Sequence, residues 1–473
     1  MTIHHHAAGL GEPEPSPPPA PEPRLTAVGR GPLRAEVGAT LRLAGPVIVA
    51  QLGMMTMGLV DVMMVGALGS EALAGVSLGN AVFFAALIFF GGIIMSLDTM
   101  VSQSVGAGLP SRSGAMLWQA IWLGLGMGVF LNLAFLDVKP LLLLLGQEEG
   151  VAAIASDYVF ARSFSAIPFL LFGACRGLLN GVGNTRPVMV ITLVANVVNL
   201  CADALLIHGL CGAPALGATG AGVATTVVRW FMLLCIILVL RRKAYRPLRL
   251  APVGPRAAPI RTMIVLGLPI GGQLLAEVGV FSATGILVGL LGATSLAEHQ
   301  IALSCVSFAF MVPLGLGVAA NVRVGHAVGR RDPEGAMRAG KVAMGLGMAV
   351  MLLPSIVFIA FPELLTRAFS AEPHVVAGTV ALMRIAVAFQ LADGLQAVAA
   401  GSLRGAAETR APFVANLVSH WLIGLPLGAW LAFSVGLGVP GLWWGLTLAL
   451  LLVAASLAHC FLKGGWRARG AVV

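Results

Sequence analysis

The chain is written twice. Leu43, Pro46, Val65, Gly66, Leu68, Gly69, Leu73, Gly92, Val105 and Gly106 recur 223 positions later as Leu266, Pro269, Val288, Gly289, Leu291, Gly292, Leu296, Gly315, Val328 and Gly329. Further on the offset slips by one, and Gly177, Leu179, Gly181, Thr185 and Arg186 return as Gly401, Leu403, Gly405, Thr409 and Arg410. A chain that repeats itself in this way folds as two equivalent units. The repeated text is apolar and long enough to cross a bilayer, so the units are expected to be helical lobes in a membrane, with a site between them.

The solvent follows from composition. The chain is 58% hydrophobic and 10% charged, against roughly 45–50% and about 25% in soluble domains. Apolar spans of about twenty residues cross about 30 Å of hydrocarbon as helices. In the first half they run Leu43 to Leu68, Ser77 to Val101, Met116 to Leu136, Val151 to Gly173, Pro187 to Ile207 and Leu216 to Leu240. The second half offers Arg261 to Leu290, Leu296 to Ala320, Val342 to Phe361, His374 to Ala399, Pro412 to Phe433 and Gly438 to Leu462. The expected fold is therefore an all-α polytopic membrane protein of twelve transmembrane helices in two six-helix lobes. An even number per repeat sends both halves into the bilayer in the same sense, a parallel duplication.

Loop charge sets the orientation, because cytoplasmic loops collect Lys and Arg. With the N-terminus inside, 24 of the 29 Lys and Arg residues fall in inner segments, seven of them between Arg241 and Arg261, and only Lys139 and Arg367 fall outside. Both termini are expected in the cytoplasm. The formal charge of +9 is then a topology signal, and it gives no ground for nucleic-acid binding. Residues 1–40, with a Pro- and Glu-rich run from Gly11 to Pro23, read as a disordered cytoplasmic tail. Residues 41–240 form the first lobe, 241–261 a basic linker, 262–463 the second lobe and 464–473 a short cytoplasmic tail. No secretory signal is visible.

An acid near mid-membrane costs about 2.5–3.5 kcal/mol even on the lenient insertion scale, so the acids inside spans are the informative residues. Asp61 and Asp203 lie at comparable depth in the outer halves of two helices. Asn199 stands one helical turn before Asp203 on the same face, and the sixth helix brings Thr225 and Thr226 down from the outer side. Oxygens of this kind suit a hard cation or a proton. In the second half Glu277 and Asp393 again match in depth. Repeat alignment places Met54 opposite Glu277, Thr284 opposite Asp61 and Phe169 opposite Asp393, so the halves share a scaffold and differ in chemistry. The plainer alternative for each acid is a helix end in interfacial water, or a packing pair with Arg162, Arg229 or Arg384. Asp98, near an inner helix end, reads as structural.

At these residues the chain resembles the multidrug and toxic compound extrusion (MATE) family, in its NorM-like bacterial branch. The matching pieces are MGLVDVMMVG with LAGVSLGNA, SLDTMVSQSVGAG, LLNGVGNTRP, and Asn199 and Asp203 followed by LGATGAGVATT. In the second half they are LGLPIGGQLLAEVGVF, LAEHQIALSCVSFAFMVPLGLGVAANVRVGHAVG, and QLADGLQAVAAGSLRG with ETRAP. The resemblance runs from Leu41 to Leu462. It implies two six-helix lobes arranged as a V, in a bacterial inner membrane, exporting bulky organic cations, drugs and dyes in exchange for inward Na⁺ or H⁺. It implies no other cofactor. It also implies an N-lobe cation site at residues like Asp61, Asn199 and Asp203, joined by Thr225, and a C-lobe site at Glu277 and Asp393; the four acids are the Na⁺ candidates. Acids in both lobes leave the coupling ion and the coupling lobe open.

Other motifs lose their meaning in this setting. Gly75, Ser77 and Gly79 spell a nucleophile elbow but begin a membrane helix rather than a strand-turn-helix. GAMRAGK, Gly335 to Lys341, lacks the Ser or Thr that holds magnesium. The six cysteines form no C-x-x-C pair and read as small hydrophobes. His208, His299, His326 and His420 read as helix-end or packing groups. Phe83, Phe84, Phe281, Phe308, Phe310 and Met311 are expected to face lipid, a minority of such residues lining a greasy cavity. No catalytic constellation marks an enzyme. We expect a monomer in contact with lipid, and the rival to a drug exporter is a flippase or exporter of a lipid-linked or other amphipathic metabolite.

Overall fold

The computed structural model describes residues 33–209, 212, 214–468 and 470–471; most of the tail expected over residues 1–40 lies outside them. The described residues are helical and contain no strand. Eleven helices are long and apolar enough to cross a membrane, and a bent pair completes a twelfth span.

The first repeat comprises α1 (Leu33–Gly66), α2 (Ser70–Ile94) continuing into α3 (Ser96–Gly106), α4 (Ser111–Ala134), the short α5 (Lys139–Leu144), α6 (Glu149–Ser163), α7 (Ala166–Gly181), α8 (Arg186–His208) and α9 (Gly217–Leu240). The second comprises α10 (Ala257–Gly289), α11 (Ala293–Gly329), α12 (Pro333–Ala360), the short α13 (Pro362–Arg367), α14 (Pro373–Gly405), α15 (Arg410–Leu417), α16 (Leu425–Ala429) and α17 (Val439–Lys463). Two π-helical stretches, Val418–Gly424 and Trp430–Ser434, join α15 and α16 into one span.

The boundaries differ from the sequence expectation where polar residues extend a helix beyond hydrocarbon. Helix α1 starts at Leu33, so residues 33–40 belong to the lobe rather than the tail. Glu36 and Thr40 on this extension are buried, which gives the extra turns something to pack against. The linker is also partly helical, with a 3-10 stretch at Lys243–Leu248, and α10 begins four residues before Arg261. The fourth span is not a single rod. Helices α6 and α7 meet at 46° across Phe164 and Ser165.

Turns punctuate both repeats alike. Gly69 (φ 110°) and Gly292 (φ 115°) connect the first span of each repeat to the second. This is a left-handed region in which a side chain is strained, so the same glycine stands at the same place 223 residues apart. At α12, Asp332 caps the helix by accepting from the Gly335 N–H at 2.8 Å, with Pro333 in the first turn.

The lobes are not cleanly partitioned by sequence. The N-lobe core of α1 to α9 also takes in Met263 and Leu266 from α10. Its counterpart, built on α11, α12, α14 and α17, takes in Leu43 and Ala44 from α1. Leu43 and Leu266 are repeat mates, so each repeat sends the start of its first helix across into the other. A third cluster, around Phe389, Trp443 and Leu382, fills the other end of the C-lobe.

Both described chain ends lie at the same end of the bundle: Glu36 pairs with Arg323 near the close of α11, and Phe461 packs on Gly340 near the start of α12. The linker lies there too, strapped along α4. Trp118 donates to Leu250 O at 3.0 Å, Trp122 to Val253 O at 2.9 Å, and Gln119 holds both the Gly254 carbonyl and the Arg256 N–H. We call this the linker end.

Candidate functional site

The N-lobe acids converge. Asp61 on α1 and Asp203 on α8 approach the same side chain, Asn199, whose Nδ2 donates to Asp61 Oδ1 at 2.6 Å and to Asp203 Oδ2 at 2.7 Å. Residues 199 and 203 lie one turn apart, as the i,i+4 spacing requires. Both are fully buried, while Asp61 is half-buried. Asn199 Oδ1 and Asp203 Oδ1 are buried and accept no hydrogen bond. The two carboxylates and the Asn199 amide oxygen, with Asn199 Oδ1 and Asp203 Oδ1 unpartnered, form an oxygen-only donor set, which fits a proton or a hard cation such as Na⁺. Among the described residues no group of three or more His, Cys, Asp or Glu side chains is placed to hold a metal ion.

The supporting residues fall differently from expectation. Thr225 is buried, but its hydroxyl donates to Ala221 O at 3.0 Å within its own helix, and Thr226 donates to Ala161 O at 2.9 Å. Neither hydroxyl bonds the acids. Arg162 donates to Asn80 Oδ1 at 2.7 Å and to the Tyr158 hydroxyl, and its guanidinium lies over the Phe83 ring at 5.5 Å. Phe83 is therefore a core residue rather than a lipid-facing one. Arg229 stacks over Phe169 at 5.3 Å within electrostatic reach of Asp61, and Arg384 is exposed. No salt bridge joins any of the three arginines to an acid among the described residues.

The C-lobe acids also meet. Glu277 on α10 accepts from Asn416 Nδ2 at 3.5 Å, is approached by Gln396, and lies within electrostatic reach of Asp393. Asp393 is buried on α14, one turn above Gln396. The amides leave further buried acceptors open, at Gln396 Oε1 and Asn416 Oδ1; Gln390, one turn above Asp393, has neither amide atom bonded. Asn416 lies just before the π-helical stretch, whose widened turn brings Trp421 Nε1 onto Ala276 O at 2.9 Å, beside Glu277. In the same stretch His420 is fully buried, with Nδ1 against Asn416 O and Nε2 unpartnered.

Gln396 and Asn416 were invisible in the sequence as partners of Glu277 because their approach depends on α10, α14 and α15 coming together. Each is a polar residue inside an apolar span, which was the available signal. His299 is held elsewhere, accepting from Trp443 Nε1 at 3.1 Å. An apolar cavity of about 430 Å³ opens between α11, α12 and α13, lined by Phe308, Val312, Met351, Pro354 and Phe358.

Two six-helix lobes, each with buried acids and a repeat written in parallel, are matched by one family description, MatE, at residues 46–205 and again at 269–430. The chain belongs to the MatE family. The two matches restate the duplication, since Pro46 and Pro269 open both. Among its relatives is a probable multidrug resistance protein NorM of Pseudomonas putida, 38% identical over 435 residues, covering 90% of this chain and 94% of that protein. A multidrug resistance protein NorM of Burkholderia vietnamiensis is 36% identical over 442 residues, covering 92% and 96%. The fold is that of the eukaryotic MATE transporter AtDTX14, with a TM-score of 0.83 at 21% identity over 92% of this chain and 99% of that one. This MatE protein is a multi-pass membrane protein, and its acids stand inside the matched segments.

Proposed function

We propose that the protein is a secondary active multidrug efflux transporter, exporting bulky organic cations in exchange for inward Na⁺ or H⁺. The observation that carries this reading is the pairing of Asp61 and Asp203 on one Asn199 amide, with two buried acceptor oxygens left open. Carboxylates held in hydrocarbon persist where they bind something positive. A site that holds either an inorganic cation or an organic one, but not both, makes the two exchange. The NorM names of the relatives support export of drugs.

Directionality comes from the seal between the lobes. Their hydrogen bonds gather at the linker end, where Gln103 donates to Gly405 O at 3.0 Å, Thr99 to Asn321 Oδ1 at 3.1 Å, and His326 Nε2 meets Gly181 O at 2.7 Å. The excess of Lys and Arg in these loops supports a cytoplasmic side for that end, and the bacterial relatives support an inner membrane. In that orientation this is the conformer closed to the cytoplasm, and the exchange proceeds by rocking the lobes about the seam. The coupling acids are Asp61 and Asp203 in the N-lobe, and Glu277 and Asp393 in the C-lobe.

The test is dye export from proteoliposomes loaded with a fluorescent organic cation, under a Na⁺ gradient or a pH gradient imposed separately. Export driven by one gradient establishes antiport and names the ion. No response to either in sealed vesicles removes the antiport reading and favours the flippase.

A further inference from the structure

The seam between the lobes obeys the repeat. Gln103 and His326 are repeat mates, as are Gly181 and Gly405; Gln103 bonds Gly405 O, and His326 bonds Gly181 O. Gly106 packs its bare Cα face on His326 O, and its mate Gly329 packs on Gln103 O. Gly92 meets Gly271, and their mates Gly315 and Ile48 meet in turn. The contacts thus occur in reciprocal pairs about a pseudo-two-fold axis.

Charge breaks this symmetry at two neighbouring pairs of mates beside the C-lobe acid site. Asp98 corresponds to Asn321, and Asn180 corresponds to Arg404. In the N-lobe the pair is Asn180 donating to Asp98 Oδ2 at 3.3 Å. Across the seam Arg404 donates to Gln273 Oε1 at 3.1 Å, one turn before Glu277 on the same helix, and its backbone carbonyl accepts from Thr99 at 3.0 Å. The guanidinium lies within electrostatic reach of two carboxylates, Glu277 of the C-lobe acid site and Asp98 of the opposite lobe. Its Nε is buried with no partner, so the group keeps a donor to give. Arg404, Asp98 and Gln273 are all buried, where charges are weakly screened. Arg176 also faces Asp98 from within the N-lobe.

We propose that Arg404 is the positioning residue through which the cation occupancy of the Glu277–Asp393 site controls the linker-end seam. With the site empty, the guanidinium, bonded to Gln273, lies within electrostatic reach of both Glu277 and Asp98. A cation bound at Glu277 offsets that carboxylate, leaving Asp98 as the remaining anion for Arg404, and the attraction across the seam increases. Cation loading therefore tightens the closure at the linker end. This rests on the reading of Glu277 and Asp393 as a coupling site.

The experiment measures the distance across the seam. Spectroscopic labels are introduced as genetically encoded amino acids at Arg112 and Glu334, both exposed at the linker end in opposite lobes, and native cysteines stay in place. In the full-length protein in nanodiscs, the cation that drives dye export is titrated, and the fraction of molecules at the short distance is recorded. We expect this fraction to rise with the cation, to be high in Glu277→Gln without it, and to lose its cation dependence in Arg404→Gln and in Asp98→Asn. Arg404→Lys, which keeps the charge, retains a shifted response; a merely structural arginine gives no such rescue and no cation-independent closure in Glu277→Gln. An unchanged cation response in folded Arg404→Gln or Asp98→Asn overturns the inference, as does wild-type protein that exports dye with no change in distance. If wild type exports on neither gradient, the antiport reading fails first and the inference with it.

Discussion

Glu36 and Arg323 form an ion pair from which water is almost excluded, their side chains 5% and 2% exposed, and the pair joins the first turns of α1 to the end of α11. It ties one lobe to the other at the closed end. Removing one partner leaves an uncompensated buried charge, at about 3–5 kcal/mol, whereas replacing both with apolar residues of similar volume is often close to neutral.

We therefore expect Glu36→Gln and Arg323→Gln to lower the thermal stability of the purified protein markedly, and the double variant Glu36→Leu with Arg323→Met to recover most of it. Unfolding in nanodiscs followed by tryptophan fluorescence checks this. Equal losses in single and double variants would show that the pair does not act as a unit.

The glycines of the seam give a second expectation. A Cβ at Gly106 or Gly329 meets a backbone carbonyl of the opposite lobe that has no room to yield. Forcing a methyl into a close-packed contact costs about 1–3 kcal/mol, and about 1.4 kcal/mol is a tenfold shift in an equilibrium. Gly106→Ala and Gly329→Ala should each shift the molecule away from the closed linker end by about tenfold and slow dye export. Because the two positions are mates, their effects should match. Gly58→Ala, which meets nothing within 4 Å, should leave export unchanged.

Asn199 is the hinge of the N-lobe site. Truncation to Ala removes the donor that both carboxylates share, and loss of an orienting group typically lowers cation affinity by about 10–100-fold. For Asn199→Ala the half-saturating concentration of the driving cation should rise in that range, read from initial export rates. An unaltered midpoint would assign the coupling to the C-lobe acids alone.

The duplication alone made the fold legible. Twelve apolar stretches at a fixed offset leave few alternatives to two parallel six-helix lobes. The bend between α6 and α7 was hidden because Ser163, Phe164 and Ser165 do not interrupt an apolar run strongly. Asp61, Asp203, Glu277 and Asp393 stood out because charge is expensive in hydrocarbon. Asn416 and Gln396 did not, since an amide carries no charge and its role depends on which helix it faces. Arg404 looked like a loop arginine, and its electrostatic reach to Glu277 and Asp98 is a property of the assembled lobes. Gly106 and Gly329 were visible as repeat mates, but among 60 glycines nothing in the sequence says which ones touch.

The strap along α4 yields a further expectation. Gln119 grips the linker from both sides, donating to Gly254 O at 3.0 Å and accepting from the Arg256 N–H at 2.6 Å. Cleavage requires local opening of such a segment. Gln119→Ala should speed tryptic cutting after Arg256 severalfold in a timed digestion, while cutting elsewhere proceeds as in wild type.

The reciprocal pairing of Gln103 with Gly405 and His326 with Gly181 is the pattern of an isologous interface, in which residue i of one subunit meets j of the other and j meets i. The seam thus has the geometry of a homodimer contact inside a single polypeptide, with the linker enforcing one copy of each half. In a true homodimer, any substitution appears on both sides of the axis at once. Asn180 in one half and Arg404 at the equivalent place in the other is a difference that only a fused chain can carry, so the covalent join permits one half to hold a charge that the other lacks.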